Sequence, residues 1–423
     1  MRLTENSKMI MNFLSKKNCI PEMNHGKKTD QILLHLYEEI KAAATYLANL
    51  KDKRKFNDFY NVKISRINNI SEIPRPRLYS DKSFPEKVRA HINEHATYLI
   101  VYTFSLFQRH ISFKFIVEDD SIHEHIGTYN NYVDMMLTWM YILNDYSSKE
   151  CSKELDVYLY FTTLKKMLPE TNISVLSENN VNTAYTTTCP KISDIVIFRR
   201  EEWFKVFMHE TFHNFALDFS DMNVESCTRR ILTIFPIKSE VNLFEAYAEF
   251  WAEFMNVLFC SYFAMKNKDD ETEFLENADY FLQLERTFGF FQLVKTLDFM
   301  GLKYNDLYSK NGQSVAAREL LYKEDTNVFS YYVLNLVLFN NYPGFLSWCD
   351  KNNLSLLQFK KTPKNLDEFC NYIEKNYKKT SLLNGVACTE ELLEKLKASK
   401  KRITNSKMNY LMQNMRMAVC ELG

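Results

Sequence analysis

Glycine is scarce, with 8 residues in a chain of 423. Phosphate-cradling loops and dinucleotide folds need glycine where backbone approaches the ligand closely. No Walker or dinucleotide glycine pattern is present, so nucleotide chemistry of those kinds is excluded and a helix-rich chain is expected. An excess of one charge is also missing. Lys+Arg and Asp+Glu stand at 53 each, which leaves no net field to recruit nucleic acid or an anionic membrane. No apolar run reaches the roughly 18 residues of a membrane span, and MRLTENSKMIMNFLSKKNC at the N-terminus lacks the apolar stretch of a signal peptide. C-x-x-C is absent: the nine cysteines (Cys19, Cys151, Cys189, Cys227, Cys260, Cys349, Cys370, Cys388, Cys420) are scattered and odd in number. They read as reduced core thiols of a cytosol-like compartment, neither a disulfide framework nor a cysteine metal site. The expectation is a soluble, intracellular and cytoplasmic protein with no nucleic-acid and no membrane partner.

What the chain does have is apolar bulk, 46% hydrophobic and 14% aromatic, enough for a large core. Residues 1–28 are polar and mixed, and read as a loose arm. QILLHLYEEIKAAATYLANLK, from Gln31, has helical spacing. A proline-punctuated connector follows, then a second helix expected over Glu86 to Phe107. Beyond Arg109 the texture changes. ISFKFIV, LDVYLYF and IVIF read as strands, VNTAYTTT as an edge strand, and Thr128 to Asn144 as a helix. From Ser239 nearly everything reads helical, and the basic stretch KASKKRITNSK reads as a solvated helix end. The order implies an α+β protein with one mixed sheet and a helix laid under it. Three regions are expected: a helical N-terminal region (1–109), a sheet-bearing region with the motif helix (110–220), and a helical region with a C-terminal extension (221–423).

The chemistry concentrates in H-E-T-F-H, His209 to His213. Histidines at i and i+4 share a helix face and can offer nitrogens to one metal ion. Glu210, at the rim of that face, can take a proton from water without being a ligand. The surrounding helix is apolar almost all round (Trp203, Phe204, Val206, Phe207, Phe212, Phe215), so burying these groups is costly unless they are paired or coordinated. A third ligand is required. The pattern H-E-x-x-H-x-x-G-x-x-H is excluded by Ala216 and Phe219; Asp218 and Asp221 lie nearby but not where that pattern places its ligand. SEVNLFEAYAEFWAEF instead carries Glu245, Glu249 and Glu253 at every fourth position, three carboxylates on one stripe of an aromatic helix. Like charges so spaced destabilise a helix, and a cation opposite the stripe would remove that penalty.

H-E-T-F-H followed by F-E-A-Y-A-E resembles the gluzincin branch of zincin metallopeptidases. The resemblance covers about residues 155–255. It implies a two-lobed zincin-like fold and one Zn2+ per chain held by His209, His213 and Glu245. It also implies Glu249 as the carboxylate that fixes a histidine tautomer, and Glu210 as general base. The connection from His213 to Glu245 is longer than in the shortest gluzincins, so Glu249 competes for the ligand role. More loosely, layout and composition resemble uncharacterised metallopeptidase-like proteins of large cytoplasmic DNA viruses, which would add a virion as a second location. The implied function is a zinc peptidase acting on a peptide or protein; the rival is an inactive, structural assembly protein that kept the fold.

Softer candidates follow from what a peptidase needs. An edge strand holds extended substrate by backbone pairing, which points to Asn182 to Thr188, with Asn182, Ala184 and Tyr185 as substrate-binding candidates and Ala184 and Tyr185 nearest the metal. No histidine follows His213, so an oxyanion donor has to be Tyr or Arg; Tyr331 is chosen, with Tyr332 beside it. His91-Ile-Asn-Glu94-His95 fits the inverted H-x-x-E-H pattern, but no strand leads into it, and it reads as helix surface. His123-Glu124-His125 reads as a solvated loop.

Overall fold

The computed structural model describes residues 2–17, 19–53, 59–78, 83–398 and 406–423. In chain order the elements are α1 (Glu5–Lys17), α2 (Lys27–Lys53), β1 (Asn61–Arg66), α3 (Glu86–His95), β2 (Tyr98–Leu106), β3 (Arg109–Val117), α4 (Ile122–Tyr146) and β4 (Glu154–Phe161). Next come β5 (Leu176–Ser177), α5 (Glu178–Val181), β6 (Ala184–Tyr185), β7 (Ile192–Ile197), α6 (Trp203–Asn214), α7 (Glu225–Ile234), α8 (Leu243–Ala264) and α9 (Glu271–Phe299). The chain ends with α10 (Gly312–Leu321), β8 (Glu324–Asp325), a π-helical segment (Phe329–Leu334), α11 (Asn335–Phe339), α12 (Tyr342–Asn352), α13 (Pro363–Asn376), α14 (Thr380–Ala398) and α15 (Ser406–Gln413).

The sheet is mixed, in the order β1-β2-β3-β4-β7-β6. β3, β4 and β7 run parallel, whereas β1, β2 and β6 pair antiparallel with their neighbours. Alternation decides the faces. Tyr102, Phe113, Phe115, Val157, Leu159, Ile195 and Ile197 join the main core, where Phe113 meets Phe207 of α6 edge to face at 6.4 Å. Ile116, Tyr158, Tyr160 and Val196 point the other way and pack under Phe84, Val88 and Ile92.

The α+β class and the mixed sheet match the sequence reading, but several local expectations are corrected. Tyr98 to Leu106 is a strand, not the second half of a helix: α3 stops at His95, and YLIVYTFSL pairs along its whole length with β3. The hairpin turns on Phe107 and Gln108, both at positive φ (56° and 59°), as a tight turn demands. The N-terminal arm is not loose, because α1 buries Ile10, Met11 and Leu14. His123 and His125 open α4 rather than lie in a loop.

The C-terminus departs most. Residues 399–405, which hold much of the basic stretch, lie outside those described. After α15, however, Asn414 to Cys420 run buried through the interior, so this end is not a solvated tail. The cysteines also differ from expectation: Cys19–Cys388, Cys151–Cys189 and Cys227–Cys370 are disulfide-bonded, while Cys260, Cys349 and Cys420 are free and buried. Partners 369, 38 and 143 residues apart leave no local spacing to read. The cysteine argument for a reducing compartment therefore falls away. Among the described residues no helix is long and apolar enough to cross a membrane.

Candidate metal centre

β7 delivers the chain into α6 through Phe198 to Glu202. Glu202 takes the left-handed conformation (φ 59°), and its carboxylate accepts the N–H groups of Met417 (3.0 Å) and Ala418 (2.6 Å). Every residue of α6 from Trp203 to Asn214 is buried. The two imidazoles and Glu210 thus lie wholly inside protein and need partners there. α8 packs along α6 and supplies them.

His209 Nε2 and His213 Nε2 are 3.1 Å apart, and Glu245 Oε2 lies 3.1 Å from the first and 3.4 Å from the second. Among the described residues these three side chains are the group of His, Cys, Asp or Glu able to hold a metal ion. Their outer ring nitrogens face carboxylates. His213 Nδ1 hydrogen-bonds Asp218 Oδ2, and His209 Nδ1 lies 2.8 Å from Glu249 Oε2, off the line of an ideal hydrogen bond. Nδ1–H toward carboxylate on both rings assigns the tautomer and leaves both Nε2 lone pairs turned inward. Two nitrogen lone pairs and a carboxylate oxygen then converge on one point. Such a set of acceptors repels itself, and a cation at that point relieves the repulsion.

Without a cation at that point, the same carboxylates favour protons on the two rings. Burial alone would lower His213, but Asp218 and Glu245 overcome it and hold the ring well above its usual value. Burial would raise Glu245, yet the two histidines hold it well below the carboxylate range. Glu249 is likewise held low against burial by Lys205 and His209; Lys205 Nζ sits 2.5 Å from Glu249 Oε1. Glu210 is different. Burial pushes it up to about 7, against the pull of the neighbouring histidines.

Of the residues singled out from sequence, His209, Glu210, Glu249, Tyr331, Asn182 and Ala184 line one narrow cavity. Glu245 and Glu249 differ by side: Glu245 faces both Nε2 atoms, whereas Glu249 sits behind His209 and is tied to Lys205. The Tyr331 hydroxyl donates to Glu245 Oε2 at 2.9 Å from the π-helical segment. Tyr332 turns inward to Met415 O (2.6 Å). Tyr185, expected beside the metal, faces the opposite side of the sheet, where its ring packs 6.0 Å from Phe84 and its hydroxyl donates to Leu78 O (3.1 Å); strand alternation puts Ala184 in and Tyr185 out. The edge strand is also shorter than VNTAYTTT, with only Ala184 and Tyr185 paired to β7 as strand.

The inverted motif does not assemble. His91 Nε2 pairs with Glu118 (2.7 Å), His95 Nδ1 bonds His91 O (3.0 Å), and Glu94 points to solvent.

Sequence reading weighed Asp218 only as a ligand, not as the partner of His213, and missed Lys205. Asp218 reaches His213 because Ala216 takes a left-handed turn (φ 55°) directly after the helix, a conformation that no residue type other than glycine advertises. Lys205 carried a signal: a lysine one turn before the motif on a helix otherwise apolar all round. No family model, curated protein or solved structure matches the chain.

Asp218 yields a direct prediction. Asp218→Ala is expected to weaken metal affinity about 10–100-fold, as losing the partner of a ligating histidine does. Competition against a chromogenic chelator measures it, and an unchanged affinity would remove Asp218 from the site.

Proposed function

We propose that the chain is a zinc-dependent peptidase of the zincin type, with His209, His213 and Glu245 as metal ligands. The observation that carries this reading is the convergence of two imidazole Nε2 atoms and one carboxylate oxygen at 3.1–3.4 Å. Two nitrogens and one oxygen, each imidazole backed by a carboxylate, is a donor set suited to zinc with a position left for substrate. Structural zinc sites instead close all four positions with protein ligands.

A bound zinc ion supplies Lewis acidity, which acidifies water and polarises a carbonyl. The chain's own groups do the rest. Glu210 lines the same cavity, and a carboxylate held near neutrality by burial is suited to accept a proton and return it to a leaving amine. Asp218 and Glu249 keep the imidazoles oriented. Tyr331 brings a hydroxyl donor to the cavity wall.

The edge strand offers the backbone. Phe198 N donates to Thr183 O (2.8 Å), and Ala184 pairs with Ile197. Bonding alternates along an antiparallel pair, so the N–H and C=O of Ala184 face the outer edge, open to an extended peptide. Substrate is therefore read as a peptide or unfolded protein segment.

Metal analysis tests the first half of the reading. Purified protein is expected to hold one zinc per chain. His213→Ala should lose stoichiometric zinc while His95→Ala keeps it. The reverse pattern would move the site to the inverted motif; no zinc in wild type would end the proposal.

A further inference from the structure

The third carboxylate of the α8 stripe has no role in the histidine site. Glu245 meets two histidines, and Glu249 meets His209 and Lys205. Glu253, one turn further, meets no cation of its own. Its Oε2 accepts from Asn335 Nδ2 (3.0 Å), and burial first, then the charges of Glu249 and Glu285, raise its pKa. Lys205, whose charge reaches Glu253, is bonded to Glu249.

Glu253 and Glu285 line a buried cavity together with Arg286, Gln292, Asn335 and Tyr331, with room for little more than one water-sized occupant. The amide groups here are oriented by their bonds. Gln292 Nε2 donates to Arg416 O and to Asn414 Oδ1 (3.2 Å), which leaves Gln292 Oε1 without a donor. Asn335 Nδ2 is committed to Glu253, which leaves Asn335 Oδ1 without one. These two residues are 1% and 4% exposed, so bulk water does not serve them.

Glu285 accepts the N–H groups of Val419 (2.6 Å) and Cys420 (3.0 Å), which stabilise its charge but do not neutralise it. Arg286 is the cation on the cavity wall. Its two terminal nitrogens donate outward to Gln283 Oε1 (2.7 Å) and Pro21 O (2.8 Å), leaving one Nε–H without a partner. Acceptors therefore outnumber donors, and two carboxylates line the same small cavity.

We propose that Glu253 and Glu285, with Gln292 Oε1 and Asn335 Oδ1, hold a calcium-class cation directly behind the histidine site. The donors are all oxygen, which suits a hard cation, and two carboxylates match a double charge. Magnesium keeps several waters of its own, and the cavity has no space for them. A single water would satisfy the two amide oxygens but leave both carboxylate charges unopposed.

Zinc-loaded full-length protein, titrated with terbium and excited through tyrosine, tests this, because Tyr331 and Tyr332 line the cavity. One saturable emission is expected, competed away by calcium and not by magnesium. Glu253→Gln, which keeps the shape and removes the charge, should raise the half-saturation concentration about tenfold or more. On wild type alone, saturating calcium should raise the melting midpoint by about 2 °C or more. Absence of a saturable signal overturns the proposal. So does calcium-independent melting with a higher midpoint in Glu253→Gln, since a proton then occupies the carboxylate pair.

Discussion

Glu210→Gln is expected to keep its zinc and lose its hydrolysis. Glutamine matches glutamate in size and keeps a hydrogen-bonding oxygen, but cannot accept a proton near neutral pH. Glu210 is not among the three converging ligand side chains, so metal content and melting midpoint should stay near wild type. Replacing a buried carboxylate by a neutral amide of the same shape adds no unpaired charge. Loss of a general base typically costs about 10²–10⁴ in rate, so cleavage of any peptide that wild type hydrolyses should fall by that factor. The comparison requires both proteins fully zinc-loaded. A variant that cleaves as fast as wild type would refute the assigned role. A zinc-loaded wild type inert toward a broad panel of peptides and unfolded proteins would favour the rival reading, a structural protein that retains the metal.

The expense of burying charge made the centre legible before any fold was known. Two histidines and a glutamate on a largely apolar helix, and glutamates at every fourth position of an aromatic one, are costly unless the groups find partners. In the structure both histidines meet Glu245, and His209 also meets Glu249, across α6 and α8. Asp218 was not legible, because it reaches His213 through a backbone turn at Ala216 that carries no residue signal. β2 failed for a different reason. YLIVYTFSL is apolar without a clean period, and its strand state comes from pairing with β3, which local propensity does not report. The disulfides joined positions that only the finished fold makes neighbours. The C-terminus was readable in part: Met415, Met417, Ala418 and Val419 follow the basic stretch, interrupted by Arg416, and all four are buried. Attention to charge hid them.

Lys205→Met should be the most destabilising single change near the site, and the reason lies in what it leaves behind. Lys205 and Glu249 are fully buried and 2.5 Å apart. Methionine fits the space of the lysine stem but strands Glu249 as a buried charge with only the His209 edge to face. Breaking such a pair from one side costs about 3–5 kcal/mol, whereas replacing both partners by apolar groups is often neutral or better. Urea unfolding of metal-free protein should therefore show a large loss for Lys205→Met, a comparable loss for Glu249→Leu, which strands the lysine, and much of it recovered in the double variant. The same single change should weaken zinc binding, because Glu249 is no longer anchored where it orients His209; the expected factor is about 10–100. Full stability in Lys205→Met would mean that Glu249 carries a proton rather than a charge, and that His209 is held by packing alone. A Lys205→Arg variant that folds and binds zinc like wild type would instead separate the charge of this position from its shape.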